Sequence, residues 1–173
     1  MTTSDTHFGD FRHNMGMVPA PTWREPRALA EPGTADNAPS ATGGRTAYST
    51  SKLAVIYLAH ALARRLPAGL EVYAFNPGLV PGTGLVRDSG PATRFLFRAI
   101  MPAMTRTPFA RTMATSGRDL AAAATAPITA ASGSYLNGTN VEQSSEQSYN
   151  PAREDALWEE LTRLAATPPV ARP

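Results

Sequence analysis

Thr46-Ala47-Tyr48-Ser49-Thr50-Ser51-Lys52 sets a phenol and an ammonium four residues apart at the head of an apolar, alanine-rich run. A helical turn takes 3.6 residues, so positions i and i+4 share a face. Tyr48 and Lys52 are therefore expected to point at one small volume. Lys52 is also the only lysine in the chain; every other Lys/Arg position is arginine. Arginine presents a planar, permanently charged fork, whereas a lysine ammonium makes a compact point contact. A positive charge beside a phenol favours the phenolate, which suits Tyr48 to exchange a proton with a substrate oxygen as general acid and base.

Outward from this stretch, Leu53, Val55, Ile56, Ala59, Leu62 and Leu66 recur at helical spacing, and Pro67-Ala68-Gly69 ends a helix predicted over 46–66. Residues 70–75 alternate and read as a short strand, stopped by Asn76-Pro77-Gly78 and followed by a Gly/Pro-rich loop through Gly84. The apolar stretch 91–104, interrupted at Pro102, reads as a core helix or as a lid over an apolar substrate. An alanine-rich helix is expected over 109–124, and a strand over 133–137 turned by Asn137-Gly138. A helix follows over Pro151–Ala166, with Leu157, Trp158, Leu161 and Leu164 on one face and Asn150 as its N-cap. Upstream, residues 5–44 are rich in Pro, Gly, Asp, Asn and Thr and read as a long surface insert with one helical turn near 24–30. Residues 167–173, rich in proline, are expected to be a frayed tail. The alternation is that of an α/β domain spanning 1–166, with too few strands to cover its helices.

Composition narrows the function. The 173 residues are 42% hydrophobic and 17% charged, ordinary for a globular domain, and the net charge of +2 is scattered. No nucleic-acid stripe or polybasic membrane patch is visible. With no cysteine, the chain has neither disulfide nor thiolate nucleophile. His7, His13 and His60 make no recognisable ligand set; they read as surface or half-buried residues, and no metal is expected. No signal peptide opens the sequence and no run of 18 apolar residues occurs, so a cytoplasmic protein without a membrane span is expected.

Taken together, the chain resembles the C-terminal part of a short-chain dehydrogenase/reductase. Tyr48-Ser49-Thr50-Ser51-Lys52 is similar to that family's Tyr-x-x-x-Lys, Asn76-Pro77-Gly78 to its Pro-Gly motif, and Thr3-Ser4 to the end of its serine-bearing strand. Ser4-Asp5-Thr6-His7, the long insert and Thr83-Gly84-Leu85-Val86-Arg87 resemble the branch containing protochlorophyllide reductase and retinol-dehydrogenase-like enzymes. The likeness runs from about Thr2 to Leu164. It implies a Rossmann-type doubly wound parallel sheet and hydride transfer between NAD or NADP and a carbonyl, an alcohol or an activated double bond. It further implies that Ser4 hydrogen-bonds the substrate oxygen and that Tyr48 supplies the proton. Lys52 would tune Tyr48 and hold the nicotinamide ribose, while Pro77, Gly78, Leu79, Val80 and Thr83 would line the nicotinamide.

The sequence departs from the family in three places. It carries no Gly-rich dinucleotide fingerprint after a strand; Thr42-Gly43-Gly44 precedes a helix but follows no strand. Gly82 stands where the family often has threonine, with Thr83 beside it, and a protochlorophyllide-type active-site cysteine is absent. The expectation is an oxidoreductase whose N-terminal, cofactor-binding half is missing from this chain, acting on a small apolar molecule, with a homodimer or the missing half as partner. The alternative is a catalytically inactive remnant that serves as a binding or dimerisation module.

Overall fold

The computed structural model describes residues 1–31, 40–80, 90, 95, 99, 104, 105, 107 and 110–166. Thr83 with its surrounding motif, most of the stretch 91–104 predicted as a helix and the tail from 167 lie outside the described residues. Residues 1–3 run parallel to a later strand: Phe75 N donates to Met1 O (2.7 Å) and Thr3 N donates to Phe75 O (2.8 Å). A 3-10 turn, Asp5–Phe8, follows at once, capped by Ser4 and closed by Gly9 in the left-handed region. Helix α1 (Phe11–Asn14) is capped by the Asp10 carboxylate, and α2 (Pro26–Ala30) begins on a proline. The helical turn expected near 24–30 is α2, and the insert carries two further short elements, the 3-10 turn and α1, that were not expected.

Helix α3 (Ala41–Ala63) begins before the expected residue 46. Ser40 supplies the cap, its hydroxyl accepting from Gly43 N at 3.0 Å. Gly43 and Gly44 therefore lie inside the first turn rather than in a loop, despite a propensity cost of about 1 kcal/mol each.

Strand β1 (Ala74–Asn76) pairs parallel with β2 (Tyr135–Asn137), with helix α4 (Met113–Thr125) between them in sequence. Beyond β2, Gly138 at φ 64 turns the chain into β3 (Asn140–Glu142), which pairs antiparallel with β2. The chain closes on α5 (Pro151–Ala166), where Asn150 Oδ1 accepts from Arg153 N at 3.1 Å.

Two expectations about the sheet are corrected. First, β1 starts at Ala74 rather than at 70, because Val72 spends its N–H on the Ser132 hydroxyl and its carbonyl on Gly133 N. Gly133 at φ 95 breaks the ladder there. Second, the sheet is mixed rather than wholly parallel; β3 is exposed along its length, so no apolar alternation announced it.

Core packing explains why α3 is central. Ile56 and Ala59 press on Ala74 and Tyr135 of the sheet, with Phe8 and Val72 at the margin. Leu53 and Tyr57 instead meet Leu157 of α5, with Trp23 edge-on to Tyr57 at 4.6 Å. Each fully buried large side chain contributes about 1.5–3 kcal/mol. Polar contacts add a clasp at one end: Glu154 takes His60 Nδ1 (3.0 Å) and Arg64, and Asp155 takes Arg64 and Arg65. No described helix is long and apolar enough to cross a membrane.

Candidate active site

The 1–3 segment, β1 and β2 are mutually parallel, so the residues that follow them emerge along one carboxyl edge of the sheet. Ser4 follows the first, Pro77 the second and Gly138 the third. Ligands of open α/β sheets bind beyond this kind of edge.

Lys52 reaches that edge from α3. Its Nζ donates to Thr2 O at 3.4 Å, and its own carbonyl accepts from Thr3 Oγ1 at 2.8 Å. The same ammonium lies 5.3 Å from the centroid of the Tyr48 ring, so the i, i+4 spacing does bring phenol and ammonium together. Tyr48 is 38% exposed and opens to solvent. Ser4, half-buried, holds an extended backbone (φ −162, ψ 152), and its hydroxyl oxygen accepts from Thr6 N at 3.4 Å. Among the described residues no hydrogen bond joins Ser4 to Tyr48.

The loop after β1 is held from below. Gly78 N donates to Asn76 Oδ1 (3.0 Å) in an Asx turn, and Gly78 takes φ 74. A Cβ on Gly78 would lie 3.2 Å from the Arg111 guanidinium, which donates to Asn76 O (3.3 Å) and to Asn137 Oδ1 (2.8 Å). Arg111 N donates to Leu79 O at 2.9 Å, and the Ser116 hydroxyl donates to Pro77 O. Pro77, Gly78, Leu79 and Val80 are consequently a braced, half-buried turn. Arg111 and Ser116 were not among the residues singled out in the sequence. The one hint was glycine at 78 and 138, whose missing side chains leave room for Arg111.

His7 is wholly buried, contrary to the expectation of a surface or half-buried histidine. Its Nδ1 lies 2.6 Å from Ser4 O, and its Nε2 accepts from Ser145 N at 3.1 Å. Burial holds the imidazole down at about 4, so the ring is neutral. Tyr135 is pushed up by burial and by Asp5, whose carboxylate accepts its hydroxyl hydrogen.

Two cavities lie elsewhere. One of about 590 Å³ is flanked by His60, Arg64, Tyr149 and Glu154; another of about 230 Å³ is walled by Trp23, Pro26, Leu29, Ala47, Ala54 and Leu157. Neither is lined by Ser4, Tyr48 or Lys52. Among the described residues no group of three or more His, Asp or Glu gathers as a metal site. No model of a known protein family matches the chain, and no curated protein matches it either.

Proposed function

We propose that the chain carries the proton-transfer end of an NAD(P)-dependent oxidoreductase of the short-chain dehydrogenase type. The observation that carries the reading is the placement of Lys52. Its ammonium lies beside the Tyr48 ring while donating to the Thr2 carbonyl, two residues before Ser4, and its backbone carbonyl holds the Thr3 hydroxyl, at the same sheet edge from which Pro77, Gly78, Leu79 and Val80 emerge. A C-terminal portion of a doubly wound Rossmann sheet accounts for the parallel segment, β1 and β2, with α3 and α4 as crossovers.

The described residues fit the nicotinamide-ribose end of such a cofactor. The Gly78 turn brings bare backbone to the edge, and Lys52 offers an ammonium with donors to spare beyond its one carbonyl partner. They provide no glycine-rich turn for a pyrophosphate. A bound nicotinamide would supply or accept the hydride. In the reducing direction, the Ser4 hydroxyl donates a hydrogen bond to the substrate oxygen and holds it against Tyr48. Tyr48 gives its phenolic proton to that oxygen as the carbonyl carbon becomes an alcohol carbon. Lys52 stabilises the phenolate left behind, which regains its proton from water at its exposed edge.

The test uses the protein isolated from its source cells. Reduction of a panel of apolar aldehydes and ketones is followed by loss of NADPH or NADH absorbance, with Tyr48→Phe as the comparison. The expected result is turnover that Tyr48→Phe lowers by about 100-fold or more, as removal of a general acid does, without loss of folded protein. Turnover unchanged in Tyr48→Phe would overturn the reading and turn attention to a binding role.

A further inference from the structure

The turn that presents Ser4 is mounted on the far end of the chain. Ser4 caps Asp5–Phe8, a 3-10 turn too short to hold its own geometry. Two side chains of that turn reach outward: Asp5 accepts the Tyr135 hydroxyl hydrogen from β2, and His7 enters the segment that precedes α5. There the His7 ring lies 5.1 Å from that of Tyr135 and 4.1 Å from that of Phe8, and Gln147 Nε2 donates to His7 O at 3.2 Å.

The bonding at the two ring nitrogens is directional. Ser145 N is a donor, so Nε2 must be the acceptor, and the single proton of the neutral ring lies on Nδ1. Nδ1–H therefore donates to the Ser4 carbonyl at 2.6 Å. The opposite tautomer would set N–H against N–H at Ser145 and leave the Ser4 carbonyl without this donor.

We infer that His7 is a positioning residue for Ser4, fixing the serine by a Nδ1–H bond to its carbonyl while Ser145 fixes the ring. This rests on the oxidoreductase reading, because it assigns Ser4 a place beside the substrate oxygen. The role is separable from mere packing because the two ring nitrogens can be replaced one at a time. His7→Asn keeps a donor near the Nδ1 position and loses the acceptor for Ser145. His7→Gln keeps an acceptor near Nε2 and loses the donor to Ser4.

Imidazole 15N NMR of the folded chain at neutral pH comes first. A neutral ring protonated at Nδ1 is expected; protonation at Nε2, or a charged ring, overturns the inference. Kinetics of the protein isolated from its source cells, with the best carbonyl substrate found above, comes second. Ser4→Ala is expected to lower kcat about 100-fold, as loss of a donor to a developing oxyanion does. His7→Gln is expected to approach that loss through misplacement of the serine, with KM little changed, while His7→Asn recovers most of the rate. The double variant Ser4→Ala/His7→Gln should be no slower than Ser4→Ala alone. Losses that multiply, or equal losses in His7→Asn and His7→Gln, overturn the inference while leaving a Tyr48→Phe defect intact. A Tyr48→Phe protein with full activity sinks the oxidoreductase reading, and this inference with it.

Discussion

Lys52 has a limited set of partners: the Thr2 carbonyl, the face of Tyr48 and, through its own backbone, the Thr3 hydroxyl. A compact ammonium can satisfy a strand carbonyl and still face a phenol; a guanidinium spreads its charge over a plane. On the proposed oxidoreductase reading, Lys52→Arg is accordingly expected to fold with an unchanged thermal midpoint yet to lose roughly tenfold or more of the proposed carbonyl-reducing rate, since small misplacements at a reacting centre are costly. Paired melting curves and kcat values check this. Gly9 is demanding in another way. It closes the turn behind Ser4 at φ 71, and a Cβ there would lie 2.5 Å from the Ala20 backbone. The neighbour is main chain and cannot swing aside, so strain adds to the left-handed penalty of about 1 kcal/mol. Gly9→Ala should destabilise by more than about 1 kcal/mol in urea unfolding; an unchanged midpoint would show that the Ala20 segment gives way freely.

Among the elements, α3 bears two loads at once, with Ile56 and Ala59 toward the sheet and Leu53 and Tyr57 toward α5. Its partner α5 is unequal along its length. The predicted apolar face was Leu157, Trp158, Leu161 and Leu164, yet Leu157 is 8% exposed and Leu161 38%. Leu157→Ala should therefore cost about 2–4 kcal/mol and Leu161→Ala less than about 1 kcal/mol, read from denaturant midpoints at constant slope. Equal losses would mean that the C-terminal half of α5 is covered in solution. The contrast also shows what was legible in the sequence. Periodicity gave α3, α4 and α5, because each carries enough apolar or alanine-rich pattern, and Asn150 was readable as a cap from its chemistry alone. It could not show which turns of α5 find a partner, since that depends on where α3 ends. Nor did it reveal β3, whose residues bury nothing, or the early start of α3, where Gly43-Gly44 reads as loop until Ser40 is seen as the cap. At the site, the Tyr48 and Lys52 pairing followed from spacing. Arg111 and Ser116 did not, because their roles exist only through backbone that folds back from more than 30 residues away.

At the scale of the whole molecule, the first residues of the chain are fastened to the segment before α5 through buried and part-buried polar bonds. His7 joins Ser4 to Ser145, Gln147 binds the His7 carbonyl, and the Tyr57 hydroxyl of α3 donates to Gln147 O at 2.6 Å. Such a lock is sensitive to charge. His7 is held at about 4 by burial, against 6.5 for an ordinary histidine; the bond to the Ser4 carbonyl pulls the other way, as do Asp5 and Asp10, and His13 adds to the depression. The sign follows from linkage. Below pH 6.5 the unfolded chain takes up a proton at His7 that the folded chain refuses, so the contribution is whole above pH 6.5 and declines as pH falls toward 4. A difference of that size corresponds to about 3 kcal/mol at its full extent. Carboxylates titrating in the same range add their own slope, which a variant removes from the comparison. His7→Gln cannot take up the proton in either state, so its urea midpoint should fall less between pH 7 and pH 4.5 than that of the unmodified chain, with the two curves converging toward acid. Parallel curves would mean that His7 is solvated in solution and that the fastening between the first eight residues and the segment before α5 is loose.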